Sequence, residues 1–422
     1  DYHSRGGVDR GTGLLGIARS GAGKAQPLYS RIYTPEGYKL MGEIQVGDTV
    51  LSELGISIKV IGVFPQGLRS TYRIKFNDGA EVDCDEDHLW KIYTIRNRAS
   101  VSNSKWDKYR KTTKILPDQH SLLKTKEMIG TEKKIFGKNT HPSHNYKIPI
   151  CKALEFTKKE FEIPPYALGA LIGDGGFTNR SISFSSQDEE IISRLERELH
   201  IKLIRFSKFD YRINTIKPLI TNLFGKGKCL SYDKFIPQEY LYSSIDDRTE
   251  LLRGLMDTDG SVSKNGKQST FYTSSEQLAK DVRELVNTLG GVGVLTNNGK
   301  ATYSYKGEKR VSKRDNYRVI INLPNINPFY VKRKANRWRD KTKYKPARYI
   351  ESISYLGEIE TQCIAVDNST HLYITDGCAV THNTTMLRSF GANAAFRGVN
   401  VLHLAAGDST QEEVEDGYDA WW

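Results

Sequence analysis

The sequence predicts a mixed architecture. A mostly-β domain is interrupted by a longer α/β region with pseudo-two-fold symmetry, and the whole lies between two short flanks of another protein. Three observations predict it. A phosphate-binding loop breaks off after its lysine and resumes at Thr384-Thr385, short β-rich runs stand at both ends of the intervening chain, and an acidic motif occurs twice in its middle.

The flanks come first. Residues 18–24 read Ala-Arg-Ser-Gly-Ala-Gly-Lys. In such a loop backbone N–H groups cradle the phosphates, the lysine reaches the outer ones, and a hydroxyl directly after the lysine holds Mg²⁺. Ala25 has no hydroxyl and Thr384 has one. Gly21, Gly23, Lys24 and Thr384 therefore form a Mg-ATP site only if the 359 residues from Ala25 to Asn383 leave and Lys24 is joined to Thr384. Residues 14–17 read as a strand entering the loop, 384–397 as the following helix, and 399–404 as the next strand. The resulting βαβ unit resembles the ATPase core of RecA-like proteins, particularly replicative helicases. That resemblance implies a host that is hexameric once joined, from a precursor expected to be monomeric.

Charge separates the insert from its flanks. The chain carries a formal +12; residues 1–24 carry +2 and 384–422 carry −4, which leaves +14 on the insert. Positive charge of this size suits a nucleic-acid partner. Nine Lys or Arg against one acid lie between Lys332 and Arg348, interleaved with Trp338 and Tyr344, a pattern suited to phosphate contacts or to a solvated linker. The five cysteines, Cys84, Cys151, Cys229, Cys363 and Cys378, form no Cys-x-x-Cys spacing, and their odd number argues against a complete disulfide framework. A reducing cytoplasm is expected. No apolar run reaches membrane-spanning length, and with ends at Asp1 and Trp422 the chain reads as a segment of a longer protein.

From Ala25 to about Tyr93 short β-rich runs alternate with turns: Ser30-Arg31-Ile32-Tyr33, Tyr72-Arg73-Ile74-Lys75, and Asn77-Asp78-Gly79 as a hairpin signal. Similar runs return at 349–355 and 362–366. The β domain is therefore assigned to 25–94 and 346–383, and the interrupting region to 95–345. Within that region 167–175 (Ala-Leu-Gly-Ala-Leu-Ile-Gly-Asp-Gly) aligns with 252–260 (Leu-Arg-Gly-Leu-Met-Asp-Thr-Asp-Gly), so that Asp174 and Asp259 are equivalent. Each motif is followed by a strand, 181–185 or 269–273, and by an amphipathic helix with a Ser-rich start.

The two arms carry one chemistry. Residues 25–50, Asp87-His88-Leu89-Trp90, Gln362-Cys363-Ile364-Ala365-Val366-Asp367 and Val380-Thr381-His382-Asn383-Thr384 resemble, in order, the motifs of inteins. The resemblance implies a horseshoe-like Hint fold and autocatalytic excision without a cofactor. Most inteins begin with Cys or Ser, and this insert begins with Ala25. Trp90, Cys363 and Thr384 resemble the Trp-Cys-Thr signature of class 3 inteins, which implies that the Cys363 thiolate attacks the Lys24 carbonyl while His88 protonates the departing nitrogen of Ala25. Thr384 then accepts the acyl group, and Asn383 cyclises with help from His382 and His371. Thiolate suits the first step because sulfur is both a strong nucleophile and a moderate leaving group. Trp90 is expected to shape the site, and Asp85 stands where the family usually has Thr. The alternatives are a class 1 intein whose first residue has been replaced by Ala25, and an ATPase with an inert insertion.

The repeat carries a second chemistry. Gly169, Ala170, Gly173 and Gly254 would let two helices approach closely, and each helix would end in an acid. An anion at a helix C-terminus opposes the dipole by a few tenths to about 1 kcal/mol unless a cation compensates. Asp174 and Asp259 meeting across a pseudo-dyad would make a Mg²⁺ site, with Asp257 second to Asp259. The motifs resemble LAGLIDADG homing endonucleases. That resemblance implies Mg²⁺-dependent cleavage of double-stranded DNA, with Lys234 acting beside the attacked phosphate and Lys313 as its counterpart. Lys309, Arg310 and Arg318 would contact DNA from strands in the major groove. A decayed endonuclease serving as a DNA-binding or structural module is the alternative.

Overall fold

The computed structural model describes residues 24–95, 120–135, 141–177, 181–305, 308–340 and 346–382. The flanking strand, loop and helix read from 1–23 and 384–422 lie outside these residues, as does Asn383.

Two long antiparallel strands form the spine of the β unit. Ser57–Phe76 pairs with Arg348–Val366 from Ile350↔Phe76 to Val366↔Val60, and four register shifts bend the ribbon. The sequence reads 349–355 and 362–366 as separate runs. They are one strand, because the bulges around Gly357 and Gln362 absorb the interruptions without breaking the ladder. Gln26–Pro27 and Thr49–Leu51 lie on the outer sides of this pair. Asn77-Asp78-Gly79 closes the hairpin to Glu81–Asp85, with Gly79 at φ +83°, a conformation open to glycine at little cost.

A second sheet runs in the order Ala379–His382, Leu372–Thr375, Arg31–Thr34, Gly37–Leu40. The two arms of the insert therefore share both sheets, although more than 300 residues separate Ile32 from its partner Thr375. Apolar alternation does this work. Ile74, Phe76, Val82, Trp90 and Ile350 fill one interior cluster, and Ile32, Val50, Val60, Ile364 and Tyr373 another.

The β unit also continues past the expected division at residue 94. Ser121–Lys124 pairs with Leu89–Ile92, and Lys147–Ile148 pairs with Tyr349 and Arg348. These strands are short, two to four residues, so periodicity in the sequence could not reveal them.

The α/β region is built on two helices, Pro165–Asp174 and Ile245–Thr258. Their backbones touch where the glycines stand. A Cβ on Gly169 would lie 2.2 Å from the Leu251 carbonyl oxygen, and one on Gly254 would lie 2.1 Å from that of Tyr166. Each helix feeds a four-stranded antiparallel sheet: Gly175–Phe177, Ile182–Ser185, Asp210–Arg212, Ile204–Arg205 in the first half, and Gly260–Val262, Ser269–Thr273, Glu308–Asn322, Val292–Tyr305 in the second. The amphipathic helices Glu189–Leu199 and Glu276–Thr288 follow in each half, as the repeat predicts; the second packs on its sheet and the first against Pro165–Asp174. Among the described residues no helix is long and apolar enough to cross a membrane.

Candidate functional site

The upstream junction is buried inside the β unit. Gln26 pairs with Gln362 and Pro27 with Thr361, so extending the register by one residue sets Cys363 opposite Ala25. Lys24, Ala25 and Cys363 are 5%, 0% and 1% exposed. The Asp85 N–H donates to the Ala25 carbonyl at 3.0 Å, which holds the junction against the strand carrying the histidine motif. The thiol also interacts electrostatically with the Lys24 ammonium, whose pKa burial lowers to about 8.

His88 faces this junction. Its ring lies against the backbone of Lys24 and Ala25, and burial pushes its pKa down to about 3, so it rests as neutral imidazole. Nε2 is hydrogen-bonded to the Thr381 hydroxyl. Trp90 packs 5.1 Å from the His88 ring, centroid to centroid, and its indole N–H donates to the Thr125 hydroxyl at 3.2 Å. Asp85 is fully buried, with Arg69 at 3.5 Å, and burial lifts its pKa to about 6.

The downstream junction converges on the same place. Leu372 pairs with His382, and the rings of His371 and His382 lie 6.1 Å apart. His382 also bears electrostatically on His88. Asn383 and Thr384 lie outside the described residues. Sequence reasoning passed over Gln26, Tyr373 and Thr375, which form a buried polar chain, and Thr381, whose hydroxyl meets His88. Their hydroxyls and amide look like ordinary strand residues until the fold sets them side by side.

The second site stands at the ends of the paired helices. Asp174 closes the first and Asp259 caps the second. Burial and the Asp174 charge raise the Asp259 pKa to about 6, and burial raises that of Asp174 as well. Asp257 is committed elsewhere. It accepts the Tyr166 hydroxyl at 2.9 Å and the N–H groups of Tyr330 and Val331 at 3.0 and 3.1 Å.

Two lysines supply the cations that the helix ends require. Lys234 Nζ donates to the carbonyls of Ile172, Gly173 and Gly175 at 2.6, 3.0 and 2.7 Å. Lys334 does the same for Met256, Asp257 and Thr258 at 2.9, 2.6 and 3.1 Å. Burial lowers both to a pKa of about 8. Lys334, not Lys313, is therefore the counterpart of Lys234; Lys313 is exposed on the long strand Glu308–Asn322. The basic run misled the sequence reading, since Lys334 is buried in it, Arg333 pairs with Asp188 and Arg348 with Asp78.

Two carboxylates without a third protein ligand suit Mg²⁺, which keeps several waters and takes one or two carboxylates. Among the described residues no group of three or more His, Cys, Asp or Glu is placed to hold a metal ion. Lys309 and Arg310 are exposed on the long hairpin of the second sheet, and Arg318 lies in register with Tyr272 and Thr296.

Residues 246–331, the second half of this region, match the family of the LAGLIDADG-like domain. Over those residues the chain is similar to that family. The replicative DNA helicase DnaB of Mycobacterium intracellulare is 29% identical over 405 residues, covering 93% of this chain and 63% of that protein. DnaB of Mycobacterium leprae is 34% identical over 97 residues, 22% of this chain and 16% of that protein. The chain thus spans less than two thirds of the length of these relatives. Among solved structures it is similar to the MchDnaB-1 intein (11% identity, 85% of this chain and 100% of that one, TM-score 0.25). It is similar also to the gp41-1 intein (40%, 17% of this chain and 54% of that one, 0.16) and to I-DmoI in complex with DNA and Ca (13%, 42% and 95%, 0.28). The resemblance drawn from the motifs, to an intein with an embedded LAGLIDADG endonuclease interrupting a RecA-like ATPase of the replicative-helicase type, is borne out.

Proposed function

We propose that the chain excises residues 25–383 from itself and joins Lys24 to Thr384, with Cys363 as the first nucleophile. The register that sets Cys363 opposite Ala25 carries this reading. Cys363 Sγ attacks the Lys24 carbonyl carbon, the bond to the Ala25 nitrogen breaks, and His88 delivers the proton that the leaving amine needs. Thr384 Oγ takes the acyl group and releases the thiol. The Asn383 side-chain amide then closes on its own carbonyl, breaking the bond to Thr384, and the freed Thr384 amine captures the acyl group as an ordinary peptide bond. A fold that pairs its own two arms supplies the proximity, since reactive groups held in place avoid the entropy of encounter.

Mass spectrometry of the incubated chain tests the reading. A ligated flank peptide running through Lys24-Thr384, absent in Cys363→Ala, is the expected result. Upstream cleavage that persists in Cys363→Ala would favour a class 1 route, in which Ala25 replaces the native nucleophile.

We infer that the α/β region cuts double-stranded DNA at an intein-free copy of its own gene. Asp174 and Asp259 would hold Mg²⁺, which when bound supplies water activation and stabilises the leaving oxygen. Lys234 and Lys334 fix the helix ends that carry the two acids, and Arg318, Lys309 and Arg310 present donors along the second sheet for base and phosphate contacts. Cleavage of the uninterrupted host sequence, lost in Asp174→Asn, is the test. Binding without cleavage would mark a decayed enzyme. The ligated host is read as a hexameric, Mg-ATP-dependent helicase of the cytoplasm.

A further inference from the structure

Glu284 belongs to the helix Glu276–Thr288 of the α/β region, yet two of the groups that meet its carboxylate come from the β unit. Arg31 Nη1 donates to both of its oxygens at 3.2 Å, and the Tyr33 hydroxyl donates to Oε1 at 2.8 Å. The Tyr242 hydroxyl adds a third donor from the α/β region. Arg31 and Tyr33 stand two residues apart on one strand and so present the same face of it. That face is matched to a carboxylate more than 250 residues away in the sequence. Tyr33 is 0% exposed, so solvent does not replace the acceptor if Glu284 is lost.

Arg31 carries the contact onward. Its Nε and its backbone N–H donate to the Asp376 carboxylate at 3.0 and 3.1 Å. Asp376 opens the turn Asp376–Cys378, in which Gly377 and Cys378 stand at φ +60° and +58°. A residue with a side chain pays for that angle and keeps it only where its surroundings over-determine it. Here the turn is gripped by Arg31 at Asp376, by Arg348 Nη1 on the Gly377 carbonyl at 2.8 Å, and by the bridge from Ile150 to Ala379. It delivers the chain into the strand Ala379–His382, and the residue after that strand is Asn383.

The same helix is tied to the acidic pair. Ser275, its N-cap, donates to the Lys234 carbonyl at 2.6 Å, and Asp281 accepts the Ile236 N–H at 2.8 Å. One element therefore touches the supports of both sites.

We propose that Glu284 is a positioning residue for the downstream step: through Arg31 and Asp376 it sets the turn that presents His382 and Asn383, so the embedded α/β region supplies a part that the splicing unit lacks. The inference rests on the splicing reading and deepens it. In Glu284→Gln the negative charge is removed, and Arg31, Tyr33 and Tyr242 are left to share one amide oxygen.

Two measurements test the proposal. In the full chain carrying Cys363→Ala, hydrogen–deuterium exchange of the 376–382 amides is expected to quicken about tenfold when Glu284→Gln is added. Unchanged exchange overturns the proposal whether or not the chain splices. In otherwise native chain, Glu284→Gln is expected to slow cleavage at Asn383 about tenfold, with Glu284→Asp between it and the parent. Thiol-induced cleavage at Lys24 should stay within about threefold, because the upstream junction is held by the register of Gln26 with Gln362 and by the Asp85 N–H. Arg31→Gln should give the same downstream loss, and the double variant no more than either alone. Equal slowing at both junctions, or losses that add, would overturn the positioning role. A parent that cleaves at neither junction would instead count against the splicing reading alone.

Discussion

Lys234 and Lys334 are equivalent: each buries its ammonium on three backbone carbonyls at the end of the acidic helix of its own half. The dipole cost of placing Asp174 and Asp259 at helix C-termini is offset by a cation at each end. Truncating either lysine leaves buried carbonyls unpaired, which costs about 1–3 kcal/mol. Lys234→Met and Lys334→Met are expected to lose stability by about that amount in denaturant titration and to lose DNA cleavage together. Lys313→Ala should leave stability unchanged. A stable, cleaving Lys334→Met protein would refute the equivalence.

Much of this site was legible in the sequence, and the limit of legibility is physical. Glycines at helical spacing before an acid announce two backbones in contact, so the helix pair, Asp174 and Asp259 could be read directly. The glycine that follows Asp259 favours it over Asp257, and Asp257 is held by Tyr166, Tyr330 and Val331. Lys334 was hidden because a lysine in a run of cations looks solvated until the fold buries it. The chain through Tyr373, Gln26 and Thr375 was hidden for a related reason. Each member is a common strand residue, and only pairing between distant strands gives the group a direction. The strands at Ser121–Lys124 and Lys147–Ile148 are too short for any period to register.

The acid pair should respond to Mg²⁺ and to pH together. Asp259 has a folded pKa of about 6 against an ordinary 3.8, because it is buried beside Asp174. Its contribution to stability is present below the unfolded value and is lost as pH rises through about 6, where two anions meet. A divalent cation opposes that loss. Mg²⁺ is expected to raise the melting temperature at pH 8, by the equivalent of about 2.7 kcal/mol at a hundredfold excess over its dissociation constant, and to have little effect at pH 5. Asp259→Asn should abolish the difference. Equal stabilisation at both pH values, or in the variant, would exclude this site as the source.

Close approach of the two helices sets the spacing of the acids. A methyl on Gly169 would stand 2.2 Å from the Leu251 carbonyl and one on Gly254 2.1 Å from the Tyr166 carbonyl, and backbone cannot rotate aside as a side chain can. Gly169→Ala and Gly254→Ala are expected to cost about 1–3 kcal/mol or more and to abolish DNA cleavage. Ligation of the flanks should survive, because the register of Gln26 with Gln362 does not depend on this contact. Loss of both activities in a folded variant would mean that the two units are coupled through the helix pair.

Asp85 offers the clearest titration in the β unit. It is fully buried, its Oδ1 has no hydrogen-bond partner among the described residues, and Arg69 is 3.5 Å away from its other oxygen, a cation shared with Asp87 at 3.2 Å. Burial outweighs that attraction and lifts its pKa to about 6. For a carboxyl raised in the folded state, more protons are bound folded than unfolded between the two pKa values, so stability falls as pH climbs through that window. Asp85→Asn cannot ionise. Its stability relative to the parent is expected to rise between about pH 4 and pH 7 and then level off, in urea melts taken at unit pH intervals. The Asp85 backbone N–H holds the Ala25 carbonyl and its carboxylate also lies against the Ala25 backbone, so cleavage at Lys24 in Asp85→Asn is the second readout. A parent and variant with parallel pH profiles would place the buried charge elsewhere. A collapse of cleavage in a stable variant would instead give the carboxylate a part in the chemistry.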